Sequence, residues 1–126
     1  MDQRLRRIFT MAVMVMTKDN IKETVENNQL VIIDFWATWC GPCRRFAPIF
    51  EAVALKHPDV VFAKVDTDAE LELASQFEIK SIPTLAVIKE GDIIFVQPGA
   101  LPEEILEQVV EKSKEIDMEE VRKQNS

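Results

Sequence analysis

The chain has 126 residues, 47% of them apolar and 29% charged, which fits one globular domain and excludes a disordered polypeptide. Its net charge is −7; Arg4, Arg6 and Arg7 against Asp2 give residues 1–10 a charge of +2, so the remainder carries −9. An acidic body without clustered Lys and Arg excludes nucleic acid as a partner and is poorly suited to an anionic membrane surface.

Residues 1–11 read as a flexible N-terminal extension. Arg4, Arg6 and Arg7 followed by the apolar run 8–16 have the first two parts of an export signal. That run is short, is broken by Thr10 and lacks a small-x-small cleavage site. It is also too short to span a bilayer, so no stable membrane insertion is expected. Met11 and Met14 leave a later translation start open. Residues 12–16 are β-like, and Thr17 stands where an N-cap would for a helix over 18–26. Asn27 and Asn28 make a turn. The continuous apolar run Leu30–Trp36 predicts a central strand buried on both faces, interrupted by one acid, Asp34. Trp36 is expected to pack in or near the core.

Residues 44–56 predict a helix with Phe46, Ile49, Phe50 and Val53 on its apolar side; Pro48 inside it should kink it. A buried strand over 60–65 and a short helix over 69–77 follow. Strands over 84–88 and 93–97 flank Lys89-Glu90-Gly91-Asp92, which reads as a hairpin turn. From Glu103 onward the pattern is helical, with Leu106, Val110 and Ile116 on one side. Residues 116–126 read as a lengthening or fraying of that helix, with a solvated charged face. The order β-α-β-α-β-α-β-β-α predicts an α/β fold with a mixed five-stranded sheet between helices.

The chemistry concentrates in Trp39-Cys40-Gly41-Pro42-Cys43, between the central strand and a helix N-terminus. Cysteines at i and i+3 become neighbours on a first helical turn, close enough for a reversible disulfide. Unpaired N–H groups and the helix dipole stabilise a thiolate there and lower its pKa. Pro42 fits an early helical position, and Gly41 lets another chain approach the sulfur. Two cysteines enclosing so short a loop constrain little unfolded chain, so their purpose is chemical. A zinc site would want four ligands. The chain has no third cysteine and one histidine, His57, which reads as a solvated helix terminus.

Residues 34–43, Asp-Phe-Trp-Ala-Thr-Trp-Cys-Gly-Pro-Cys, resemble the active-site segment of thioredoxins, and Ser81-Ile82-Pro83-Thr84 resembles that family's second signature. The resemblance runs over roughly residues 12–115, which is taken as the domain, and includes Pro48 as the family's kinking proline. It implies the thioredoxin fold and a protein-disulfide reductant. Cys40 would be the exposed nucleophile and Cys43 the buried resolving thiol.

Asp34 is similar to the family's buried acid, which would deprotonate Cys43; read from its residues alone, it could equally be an aspartate bonded to backbone or solvent at a strand end. Lys64 matches a lysine that can pair with this acid, with a solvent-facing lysine as the alternative. Pro83 resembles a cis-proline, beside which Ile82 would pair with an extended client segment. Trp39, Gly41, Pro42, Ile82, Pro83, Gly99 and Ala100 would then form the contact surface. Arg44, in place of a more usual Lys, and Pro98, in place of an apolar β-former, depart from the pattern.

The resemblance further implies a monomer without bound cofactor. Its partners would be oxidised proteins and a thioredoxin reductase that draws on NADPH, and its setting the cytoplasm. Two alternatives stay open: an exported thiol reductase, and a binding subunit whose dithiol is incidental.

Overall fold

The computed structural model describes residues 12–125; the N-terminal extension lies outside the described residues. In chain order the elements are β1 (Val13–Val15), α1 (Ile21–Asn27), β2 (Leu30–Trp36), α2 (Gly41–Lys56), β3 (Val61–Asp66), α3 (Leu71–Gln76), β4 (Thr84–Lys89), β5 (Asp92–Pro98), α4 (Glu103–Glu115) and α5 (Met118–Gln124). The strands form one sheet in the order β1-β3-β2-β4-β5. β3 runs parallel to both β1 and β2, whereas β4 is antiparallel to β2 and to β5. This is the thioredoxin fold expected from the sequence.

Period-2 alternation along β2 divides the core. Leu30 and Ile32 pack with Phe46, Phe50 and Val53 of α2, Phe62 of β3, and Leu106 and Val110 of α4. Val31, Ile33 and Phe35 point to the opposite face and pack with Val65, Leu73, Ala86, Val25 and Phe77. Asp34 shares the parity of Leu30 and Ile32, so it faces the side that α2 covers. Its register partner across the parallel ladder is Lys64.

Several boundaries differ from expectation. α1 begins at Ile21 rather than residue 18, because a turn anchored by Thr17 comes first. Asn20 Oδ1 accepts from the Thr17 N–H at 2.8 Å, and Thr17 Oγ1 accepts from the Asp19 N–H at 3.2 Å. α2 starts at Gly41, immediately after Cys40, and runs unbroken through Pro48. The hairpin turn is two residues, Glu90 (φ 50°) and Gly91 (φ 85°). Both angles lie in the left-handed region that a type I′ turn requires. Pro98 is tolerated because β5 is an edge strand.

The largest corrections concern the C-terminal segment and His57. The last helix is not lengthened: Ile116 is extended (φ −63°, ψ 127°) and a separate α5 follows, capped by Asp117, which accepts from the Glu119 and Glu120 N–H groups. The break has a visible cause in Lys89. It is not in the turn but ends β4, with 5% of its surface exposed. Its Nζ donates to the carbonyls of Ser113 (2.7 Å), Lys114 (3.0 Å) and Ile116 (2.7 Å). One ammonium thus satisfies the carbonyls a helix end leaves unpaired. α5 is docked rather than solvated all round: Met118 is buried, and Arg122 pairs with Asp92 at 3.1 Å and Glu90 at 3.4 Å.

His57 is buried at the C-cap of α2, not solvated. It stacks on Phe62, and α4 brings Glu107 to 2.8 Å from Nε2 and Lys114 Nζ to 2.8 Å from Nδ1. An ammonium can only donate, so Nδ1 accepts and the Nε2–H donates to Glu107.

Candidate functional site

Cys40 caps α2 with extended backbone (φ −88°, ψ 113°), and its Sγ accepts from the Cys43 N–H at 3.2 Å. The two cysteines form a disulfide across a Cα–Cα distance of 5.2 Å. Pro42 lies within the first turn, where a missing N–H removes no helical bond. The same geometry places the sulfur of Cys40 against the positive end of the helix dipole. Both cysteines pack with Ala37, Trp36 and Ile82. Cys40 is only 4% exposed in this oxidised form, a correction to the exposed thiol expected of it. Its neighbours leave just an edge of the disulfide for a partner to reach.

The chain passing opposite is the loop before β4. The Ile82–Pro83 peptide bond is cis, as the resemblance implied, and the carbonyl of Ile82 lies 3.8 Å from Cys40 Sγ. Pro83 is buried and Ile82 half-buried. The Pro83 carbonyl accepts from the Gly99 N–H at 2.7 Å, which ties the 99–100 corner to the site. Gly99 has φ 99°, a conformation that costs a side-chain-bearing residue strain. Gly99, Ala100 and Pro42 are exposed, and Gly41 is half-buried.

Trp39 is 66% exposed. Its indole Nε1–H donates to Asp68 Oδ2 at 2.9 Å, so the ring is held in place while staying open to solvent. The sequence did not single out Asp68; its position two residues after β3 carries no motif of its own. Arg44 likewise braces this loop, donating from Nη1 to the Thr38 carbonyl at 2.8 Å.

Asp34 is buried, 4% exposed, and its Oδ1 has no hydrogen-bond partner. Burial without a compensating donor penalises the carboxylate and pushes its pKa from 3.8 up to about 7; the charge of Lys64 works in the opposite direction. No backbone or side-chain donor reaches Oδ1. Lys64 is half-buried, and its Nζ lies 5.6 Å from the centroid of the Trp36 ring. It is therefore not a freely solvated lysine. Trp36 packs against the cysteine cluster as expected, with Nε1 buried and unpaired.

Three metal-type ligands meet elsewhere: His57, Glu107 and Glu111 offer atoms within 4.8 Å of one another. They stand at the opposite end of α2 from the cysteines, and the Lys114 ammonium occupies Nδ1 of the imidazole. No helix among the described residues is long and apolar enough to cross a membrane.

Comparison with known proteins agrees with this geometry. The family model described as Thioredoxin matches residues 12–112. A putative thioredoxin 2 of Streptomyces coelicolor is 53% identical over 108 residues, covering 86% of this chain and 81% of its own. The thioredoxin of Alicyclobacillus acidocaldarius is 43% identical over 97 residues, covering 76% of this chain and 92% of its own. Among solved structures, a Plasmodium falciparum thioredoxin superposes with a TM-score of 0.74 at 37% identity, covering 79% of this chain and 97% of its own. The oxidised mitochondrial thioredoxin 3 of Saccharomyces cerevisiae gives 0.75 at 30%, covering 83% and 98%.

Proposed function

From the premise that this chain belongs to the thioredoxin family and is a protein-disulfide oxidoreductase working by dithiol–disulfide exchange, we propose a reductant with the following division of labour. The thiolate of Cys40 attacks one sulfur of a client disulfide, forming a mixed disulfide and releasing the client's other sulfur as a thiolate. Cys43 loses its proton to Asp34 and attacks Cys40. The Cys40–Cys43 disulfide closes, and the client leaves with both of its cysteines reduced. Two electrons have passed from the chain to the client.

The observation that carries this reading is the cysteine pair at the N-terminus of α2, with Cys40 beside the carbonyl of the cis Ile82–Pro83 bond. An acid with a pKa of about 7 can both accept and return a proton at neutral pH, as a general base requires. Lys64 tunes that acid by its charge. The free edge at Ile82 receives an extended client segment by strand addition. Trp39, Gly41, Pro42, Pro83, Gly99 and Ala100 supply the surrounding contacts. Electrons return from a thioredoxin reductase and ultimately from NADPH. The domain spans residues 12–115, acts as a monomer in the cytoplasm and holds no cofactor.

Equilibration with glutathione, followed by Trp fluorescence, tests the direction of transfer. A potential near the thioredoxin value of about −270 mV supports a reductant. A potential near about −120 mV, that of a strong oxidant, overturns it. Trapping tests the order of attack: Cys43→Ser should accumulate a mixed disulfide through Cys40, seen by mass spectrometry, whereas Cys40→Ser should not.

A further inference from the structure

We propose that Arg44 and Arg45 form an anion-selecting rim beside the cysteine pair, so that the chain prefers client disulfides with an aspartate or glutamate next to the attacked cysteine. The proposal rests on the reductant reading above and adds a substrate preference to it.

Both arginines are exposed and follow Cys43 directly on α2. A Cβ built on Gly41 would lie 3.5 Å from Arg45 Nη1 and 4.0 Å from Arg44 Nη2. The two guanidinium groups therefore lie beside the dipeptide that separates the cysteines, where a client must come close. Arg44 is already oriented by its bond to the Thr38 carbonyl, which leaves donors free and lowers the entropy cost of a further bond. The Arg45 side chain has no hydrogen bond or ion pair among the described residues. The carboxylates on the β3–α3 connection make no ion pair with either arginine and are held by neutral donors. Asp68 accepts from the Trp39 indole, and Asp66 Oδ1 accepts from the N–H groups of Asp68 and Ala69.

The rest of the molecule makes this pair informative. With a net charge of −7, the chain as a whole repels acidic partners at long range. Two guanidinium groups at the reacting turn place positive charge there against that overall balance, and their planar forks match a carboxylate. Charge complementarity of this kind sets specificity and on-rate.

The test uses the full chain and two disulfide-bonded peptides that differ only in Glu or Lys beside the attacked cysteine. At low salt the Glu peptide should be reduced with a kcat/KM about fivefold higher, the sum of two exposed ion pairs. The ratio should shrink as salt rises. It should invert in the Arg44→Glu/Arg45→Glu chain and keep its direction in the Arg44→Lys/Arg45→Lys chain. Equal rates for the two peptides in the unaltered chain, or a ratio insensitive to salt, overturn the proposal even if a variant misfolds. A chain that reduces neither peptide overturns the reductant reading itself, and the preference with it.

Discussion

Replacing Asp34 by asparagine isolates the energetic cost of the buried acid. The side chain is 4% exposed with an orphaned oxygen, and its pKa rises from 3.8 to about 7. The folded chain holds this proton more tightly than the unfolded chain does. Above pH 3.8 the unfolded state has lost it while the folded state keeps it, so stability falls as pH rises. The fall continues to about pH 7 and levels off once both states are ionised. A shift of about three units at about 1.4 kcal/mol each sets the full loss at about 4 kcal/mol.

Asparagine approximates the shape of the protonated acid and never ionises. The Asp34→Asn chain should therefore match the unaltered chain near pH 4 and exceed it by up to about 4 kcal/mol near pH 8. In thermal melts of the oxidised proteins, that difference corresponds to a Tm gap on the order of 10 °C at the higher pH. Parallel Tm curves for the two proteins across the whole range would refute the argument: Asp34 would then titrate as an ordinary surface carboxylate. The same substitution separates stability from function. It should slow release of the mixed disulfide at neutral pH more than it slows the initial attack, because only the second step needs the proton acceptor.

Lys64→Met removes the charge that lowers the Asp34 pKa, so the Asp34 titration, read by carboxyl NMR, should move above about 7; an unchanged midpoint would show that the two groups do not communicate. Lys89→Met removes the donor shared by the carbonyls of Ser113, Lys114 and Ile116. It should cost about 1–3 kcal/mol in denaturant unfolding and speed amide exchange in residues 116–124, whereas unchanged exchange there would mean that α5 is held by Arg122 and Met118 alone.

What could be read from the sequence depended on whether a residue's role is local. The central strand was legible because a run such as Leu-Val-Ile-Ile has no other stable use, and an acid inside it stands out against its neighbours. The cysteine turn was legible because capping, Pro42 and the i, i+3 spacing all act within one helical turn. The cis bond at Pro83 came from family resemblance alone, since nothing in a Ser-Ile-Pro-Thr segment prefers that isomer. Lys89 and His57 were misplaced for a common reason. A lysine at the end of a strand and a histidine at the end of a helix both look solvated, until an element more than twenty residues distant covers them. α4 does this in both cases: its side chains Glu107 and Lys114 clamp His57, while its last carbonyls receive Lys89. The same dependence explains the C-terminal break. The helical period runs on past Glu115, but Lys89 can satisfy the carbonyls of Ser113, Lys114 and Ile116 together only if the backbone departs from the helix at Ile116. A buried cation on the sheet thus acts together with the local Asp117 cap, which starts α5, to set where the last helix stops.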